Sequence, residues 1–164
     1  MWIAVIIAMI GSLIGFAAMS SQVELARAGD KSQVTALSEN MTSYRAGVIN
    51  FANANPGAAC PAAVPAADFP TGYVALNPPL WSNCIWADGT IVVYATRMPE
   101  ADIIDAISQM ASRSVTAGRI NTNTIPSQIE TSFHGTDAPA ALPALPASIT
   151  PYQNGRPVWL AHRD

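Results

Sequence analysis

The first nineteen residues carry no charged side chain, and this run constrains the fold more than any other feature of the sequence. As an α-helix the run would be about 28 Å long, at about 1.5 Å per residue. That length is close to the roughly 30 Å thickness of the hydrocarbon core of a bilayer. A helix also satisfies its own backbone polar groups inside lipid, and Trp2 suits the membrane interface. The sequence therefore predicts a transmembrane anchor at residues 1–19.

Three other interpretations of this segment are alternatives to a retained anchor. A signal peptide needs a basic region at its start, but the first basic residue is Arg27, and Ala17-Ala18-Met19-Ser20 is a poor cleavage site. A prepilin leader would place a glutamate where Ser20 follows Gly15-Phe16, and it would put the apolar run after the processing site. A buried core helix would show a polar face. The retained anchor is therefore favoured.

A long helix is predicted to continue from the anchor as a membrane-proximal segment at residues 20–55. Asn55-Pro56-Gly57 ends it, because the residue before a proline is driven out of the α region. An apolar stripe with the 3.5-residue period of a packing seam runs along this helix. The stripe either covers the core of the domain or forms a seam for a second copy or another partner. Its members are Val34, Leu37, Met41, Tyr44, Val48 and Phe51.

Residues 56–164 are predicted to form a small α+β domain, in which β-hairpins pack with one or two helices. Ala/Pro-rich stretches at 58–79 and 137–147 are interpreted as linkers. Short β-rich segments flank Asp88-Gly89, which favours a hairpin with a type I′ turn. Asn154-Gly155 indicates a second hairpin, between strands at 149–152 and 157–161.

A helix and a short strand are predicted between the two hairpins. Pro99 is suited to open the helix, because its missing N–H has no partner in a first turn, and Gly118 is suited to cap its end. A strand is expected at about 119–125. The acidic side chains in the first turns suit the positive end of the helix dipole, which accounts for them without catalysis; they are Glu100, Asp102 and Asp105.

The two cysteines, Cys60 and Cys84, lie too far apart for a redox motif and are too few for a zinc site. A disulfide between them would close a loop of about 25 residues and stabilise the fold by about 3 kcal/mol. Two buried free thiols are the alternative. Because disulfides persist in oxidising compartments, the domain is expected outside the cytoplasm, which in a bacterium is the periplasm.

No recognisable catalytic or nucleotide-binding motif occurs in the sequence. His134 and His162 have no neighbouring cluster of ligands, so we expect surface positions, no metal and no cofactor. The net charge is −3 and the basic residues are scattered, which argues against a nucleic-acid partner. Three tryptophans of the domain are either core or contact residues: Trp81, Trp86 and Trp159. A pocket lined by all three would favour a ligand-binding module of the envelope.

Several stretches together resemble a known family. They are a Met-Trp-Ile anchor, a helix ending in Tyr44–Gly57, and the Trp-flanked hairpin Trp86–Tyr94, followed by a helix and a short final hairpin. The chain resembles the PilM family encoded with the thin, type IVB pili of conjugative plasmids. The resemblance implies a non-enzymatic inner-membrane component of pilus assembly, with the membrane, other apparatus proteins or a second copy as partners. A pilin-like subunit incorporated into the fibre is the alternative.

Overall fold

A single long helix dominates the computed structural model. The backbone is described for residues 2–131, 139–146 and 151–163, and the side chains from residue 28 onward within those ranges. Helix α1 spans Trp2–Ala54, 53 residues, which corresponds to about 80 Å. Within the part of the chain whose side chains the structure describes, no helix is both long and apolar enough to cross a bilayer. The side chains of the predicted anchor at 1–19 lie outside the described residues.

Helix α1 ends one residue before the predicted boundary. The N–H of Asn55 still donates to the carbonyl of Phe51, at 2.9 Å, and the Asn55 side chain donates to the same oxygen. Pro56 then prevents another helical turn, because it has no N–H and restricts the residue before it. The end of α1 is therefore determined locally by Asn55-Pro56, as the sequence predicted.

Five antiparallel strands form one sheet behind the C-terminal half of α1, which confirms the α+β class. The strand order is β1-β2-β5-β3-β4, so the last strand in the sequence lies at the centre of the sheet. A short helix, α2 (Ile104–Met110), follows β2 and packs on the same face as α1. The strands are β1 (Trp81–Ile85), β2 (Thr90–Ala95), β3 (Ala117–Asn121), β4 (Gln128–Glu130) and β5 (Pro157–His162).

The first predicted hairpin is present, with a different turn. Strands β1 and β2 pair over their full length, and the Asp88 carboxylate accepts from the N–H of Thr90 at 2.9 Å. A type I′ turn would need positive φ at both central residues, but only Gly89 has it, at +90°. The Trp86 N–H donates to the Thr90 carbonyl, which makes a three-residue loop. The type I′ prediction was therefore wrong.

The second predicted hairpin does not form. Strand β5 pairs with β2 and β3, and Pro151 and Tyr152 lie outside any strand, while residues 147–150 are outside the described part. The turn at Asn154-Gly155 docks against the end of β3, because the Gly155 N–H donates to the Ile120 carbonyl at 2.8 Å. The turn at Asn154-Gly155 was predicted correctly, but β5 pairs with strands that are distant in the sequence.

The helix predicted from Pro99 to Gly118 is much shorter. It starts at Ile104, whose N–H donates to the Asp102 carboxylate at 3.0 Å. It ends where Ser112 and Arg113 adopt left-handed φ values of 55° and 60°, conformations that local hydrogen bonding must stabilise in non-glycine residues. The strand predicted at 119–125 is β3, which begins earlier, at Ala117. Gly118 lies in that strand and caps no helix.

Gly118 sits where β3 and β4 pair, and its lack of a side chain is required there. A Cβ at this position would overlap the backbone oxygen of Glu130 and touch the Ile129 side chain. We expect Gly118→Ala to lower the free energy of unfolding by about 2 kcal/mol, because the backbone of β4 must shift to relieve the overlap. Urea unfolding followed by circular dichroism measures this. Gly29→Ala, whose Cβ would contact nothing within 4 Å, is the control; equal effects would contradict the explanation.

Apolar side chains alternate between the two faces of the sheet. One face packs against α1 and α2 and forms the larger core, which includes Trp81, Ile91, Val93, Ile107 and Trp159. The other face forms a smaller core of Cys84, Val92, Tyr94, Ile120, Ile129, Leu142 and Val158. Since only irregular chain covers this second face in the described residues, its burial depends on the Ala/Pro-rich segments.

Candidate interaction surface

The six-residue stripe of α1 lies against the larger core. Met41 and Val48 are fully buried, while Val34, Leu37, Tyr44 and Phe51 are partly buried and pack against the same cluster. Residues 28–33, the preceding turns of α1, are all exposed. The later part of the helix therefore holds the domain, and residues 28–33 are exposed to solvent.

Asn83 is the polar centre of the contact between α1 and the sheet. Its side chain is 1% exposed and bonds the backbone of Ala62 twice, accepting from the N–H at 3.1 Å and donating to the carbonyl at 3.2 Å. It also donates to the Tyr44 hydroxyl at 2.8 Å. One buried amide thus joins β1, the segment before it and α1. Both its oxygen and its nitrogen are hydrogen-bonded, as a buried polar side chain requires.

Two asparagines of α1 hold the Ala/Pro-rich segment at 58–79, which was predicted to be a linker. Asn40 donates to the Val74 carbonyl at 2.8 Å, and Asn50 donates to the Asp68 carbonyl at 2.9 Å. Asn40 also accepts from the indole N–H of Trp81 at 2.8 Å. This segment is consequently packed along α1 over about three turns of the helix.

Phe69 and Tyr73 fasten the same segment to α1, and neither residue was predicted as a contact from the sequence. Their rings stack with centroids 4.4 Å apart, and Phe69 lies 5.6 Å from the ring of Tyr44. A Cβ at Gly47 would overlap the Phe69 ring, so glycine permits the close approach. The available signal was the presence of two aromatic residues within an otherwise Ala/Pro-rich stretch.

Arg45 covers the edge of the larger core from α1. Its guanidinium carbon lies 4.8 Å from the centroid of the Trp159 ring, a cation–π contact. Burial lowers the pKa of the guanidinium from its ordinary value, and its Nε has no hydrogen-bond partner among the described residues. The contact ties α1 to the central strand of the sheet.

The three tryptophans do not form a common pocket. Trp81 and Trp159 are buried in the larger core, whereas Trp86 is half-buried on the opposite face of the sheet. The condition that would have favoured a ligand-binding module is therefore not met. The core interpretation was correct for Trp81 and Trp159.

A disulfide joins Cys60 and Cys84, as predicted. Next to it, Ala59 and Ile85 exchange two backbone hydrogen bonds at 2.9 and 2.8 Å. Cys84 is fully buried in the smaller core. The disulfide therefore holds the start of the Ala/Pro-rich segment at the outer edge of β1.

Several small cavities lie among the described residues. One cavity of about 160 Å³ lies beside Met98, Ile104, Arg119 and Pro157, and another of about 200 Å³ lies where Leu37 meets Leu80. No group of three His, Cys, Asp or Glu side chains that could hold a metal occurs within the described ranges. His162 is exposed on β5, and His134 lies outside those ranges.

The buried tyrosines should make stability fall at high pH. Burial raises the pKa of Tyr44, partly offset by the Asn83 hydrogen bond, and burial also raises the pKa of Tyr152. Because the neutral form is favoured in the fold, this stability is present below about pH 10 and is lost above it as the unfolded chain ionises. We expect the urea midpoint to decline above pH 10. A Tyr44→Phe, Tyr152→Phe variant should decline less steeply; an unchanged slope would contradict this explanation.

These features define a class of protein: an α+β domain carried on one long helix. A family model described as PilM matches residues 8–160, and the chain therefore belongs to the PilM family. No curated protein matches the sequence, and no solved structure matches the fold. The PilM assignment made from the sequence is confirmed, whereas its type IVB subtype stays a prediction, and the family match suggests a pilus-related role.

Proposed function

We propose that this chain is a non-enzymatic structural component of the apparatus that assembles a thin, type IVB pilus, acting through protein–protein contacts. Family membership supports a pilus-related role. The observation that carries the proposal is the division of α1: residues 34–52 pack the domain, while residues 28–33 of the same helix are exposed. A helix arranged in this way can hold a module beside the helices of other proteins.

The proposed location is the bacterial inner membrane, with residues 1–19 as a single-pass anchor and the domain in the periplasm. The uncharged N-terminal run supports the anchor, and the Cys60–Cys84 disulfide supports an oxidising compartment. A thiol reagent that cannot cross the inner membrane should label a Gln109→Cys variant in spheroplasts. Labelling only after the cells are lysed would place the domain in the cytoplasm and contradict this topology.

Photo-crosslinking tests the contact role. A photoreactive amino acid at Ser32 or Gln33 lies on the exposed turns of α1, and one at Gln109 lies on the exposed face of α2 as a matched control. In a pilus-producing strain, we expect the α1 positions to capture a defined pilus-apparatus protein, and Gln109 to capture much less. Equal capture at all three positions, or capture of lipid alone, would count against the proposal.

A pilin-like subunit is the second candidate, because a long N-terminal helix packed against an antiparallel sheet would also suit incorporation into a fibre. The intact mass of the mature chain separates the two. Loss of the residues through Gly15 would favour the pilin-like subunit, and retention of residues 1–19 favours the assembly component.

A further inference from the structure

The two edges of the sheet are covered by Ala/Pro-rich segments, and the two covers differ in strength. At β1, Ala59 exchanges two hydrogen bonds with Ile85, and the adjacent disulfide makes the cover covalent. At β4, residues 139–146, here termed the strap, pair only around the bridge between Ala141 and Gln128. Exposed strand edges invite pairing with other chains, so the weaker cover determines which edge is open to exchange.

The strap has few attachments to its own copy. The Ile129 N–H donates to Ala140 at 2.8 Å, and the Leu142 N–H donates to Ser127 at 2.7 Å. Leu142 is buried in the smaller core, at 3% exposure. Pairing stops there, because Pro143 has no N–H to continue the ladder.

The C-terminal half of the strap is held by side-chain packing, with Leu145 half-buried against the smaller core. Ala144, Leu145 and Pro146 border an open groove of about 450 Å³ whose other wall includes Thr122 and Tyr152. The Tyr152 hydroxyl is buried there without a hydrogen-bond partner among the described residues. Among the described residues, backbone hydrogen bonds to β4 and its flank therefore hold the strap at Ala140–Leu142.

We propose that the β4 edge exchanges straps between two copies of this chain, each strap pairing with β4 of the other. The occupant is a second copy because the strap already carries the two features this edge selects, an N–H at Leu142 and an apolar side chain that fills the smaller core. The exchanged strap makes the same contacts in either copy, which is the basis of domain swapping.

Chain length permits the exchange. Eight residues separate Glu130 from Pro139, and four separate Pro146 from Pro151, after which Tyr152 packs on Tyr94 and Gly155 is bonded to Ile120. At full extension the first connection can reach about 30 Å and the second about 16 Å. The proline content of the strap also prevents a third chain from extending the sheet beyond it, so reciprocal exchange gives a closed dimer. The inference does not depend on the pilus role, and either can fail while the other stands.

Cysteines placed on separate copies test the exchange. Gln128 and Ala141 form a non-hydrogen-bonded antiparallel pair, whose Cα atoms typically lie about 4.5 Å apart, within disulfide range. Full-length Gln128→Cys and Ala141→Cys chains with different tags are co-expressed, membranes are oxidised mildly, and linked heterodimers are measured. The control is Arg119→Cys with Glu130→Cys, a β3–β4 pair inside one hairpin.

We expect the strap pair to give about tenfold more linked heterodimer than the control pair, because exchange raises the local concentration of the two thiols. Equal yields would overturn the proposal. A single chain carrying both Gln128→Cys and Ala141→Cys checks the pairing itself. It should link within the copy or across copies, and free thiols in this chain would overturn the proposal as well.

Discussion

Replacing Asn83 by leucine is expected to lower the free energy of unfolding by about 4 kcal/mol, because it leaves the N–H and the carbonyl of Ala62 without partners in the interior. Leucine has the same branching as asparagine and a larger volume, so the loss of stability does not come from a cavity. The loss should also loosen α1, since the Tyr44 hydroxyl accepts its bond from the same amide. Urea unfolding of the full chain in detergent measures the change.

Tyr44→Phe is the matched control for Asn83→Leu. It removes one hydrogen bond from the same network and keeps both bonds to Ala62, so a loss of about 1 kcal/mol is expected. If the two variants lost equal stability, the bonds to the Ala62 backbone would contribute little, and the role assigned to Asn83 would be wrong.

Removal of the disulfide has the second largest expected effect. A Cys60→Ala, Cys84→Ala variant should lose about 3 kcal/mol of stability, because the unfolded chain is no longer constrained over the loop between the two positions. The start of the Ala/Pro-rich segment should also loosen at the edge of β1, since the Ala59–Ile85 pair and the Asn83–Ala62 hydrogen bonds would hold it there without the covalent bond. Unfolding with and without a reductant measures the first effect, and amide exchange at Ile85 measures the second.

The reductant supplies the internal control for this variant. Wild-type chain treated with reductant should approach the stability of the double variant, and the double variant itself should not respond. A variant as stable as the oxidised wild type would show that the smaller core holds β1 and the Ala/Pro-rich segment together without the covalent bond.

Features set by neighbouring residues could be predicted from the sequence. Asn55-Pro56 predicted the end of α1, and Asp88-Gly89 predicted the first hairpin, because turn chemistry acts over a few positions. Cys60 and Cys84 could be paired because there were only two. In each case the determining residues lie within the element itself or have no competitor.

Features that depend on contacts between distant residues could not be predicted from the sequence. Strand β5 pairs with β2 across more than sixty positions, and short β4 gives almost no periodic signal. The packing of Phe69 on Gly47 and the double bond of Asn83 to Ala62 depend on the folded path of an irregular segment. Alanine and proline composition predicted only irregular chain at 58–79 and at 137–147, but the start of the first segment and residues 139–146 of the second each cover an edge of the sheet.

The exposed turns of α1 also set the orientation of the domain about the axis of the helix. Asn40, Tyr44 and Asn50 fasten it to one side of the helix, and each helical residue advances by about 100° and 1.5 Å. Inserting one residue within 28–33 would therefore swing the domain by more than a quarter turn while barely changing its height. Inserting seven residues would restore the orientation of the domain to within about 20° and move it about 10 Å along the helix axis. The distance of the domain along α1 and its rotation about α1 can therefore be varied separately.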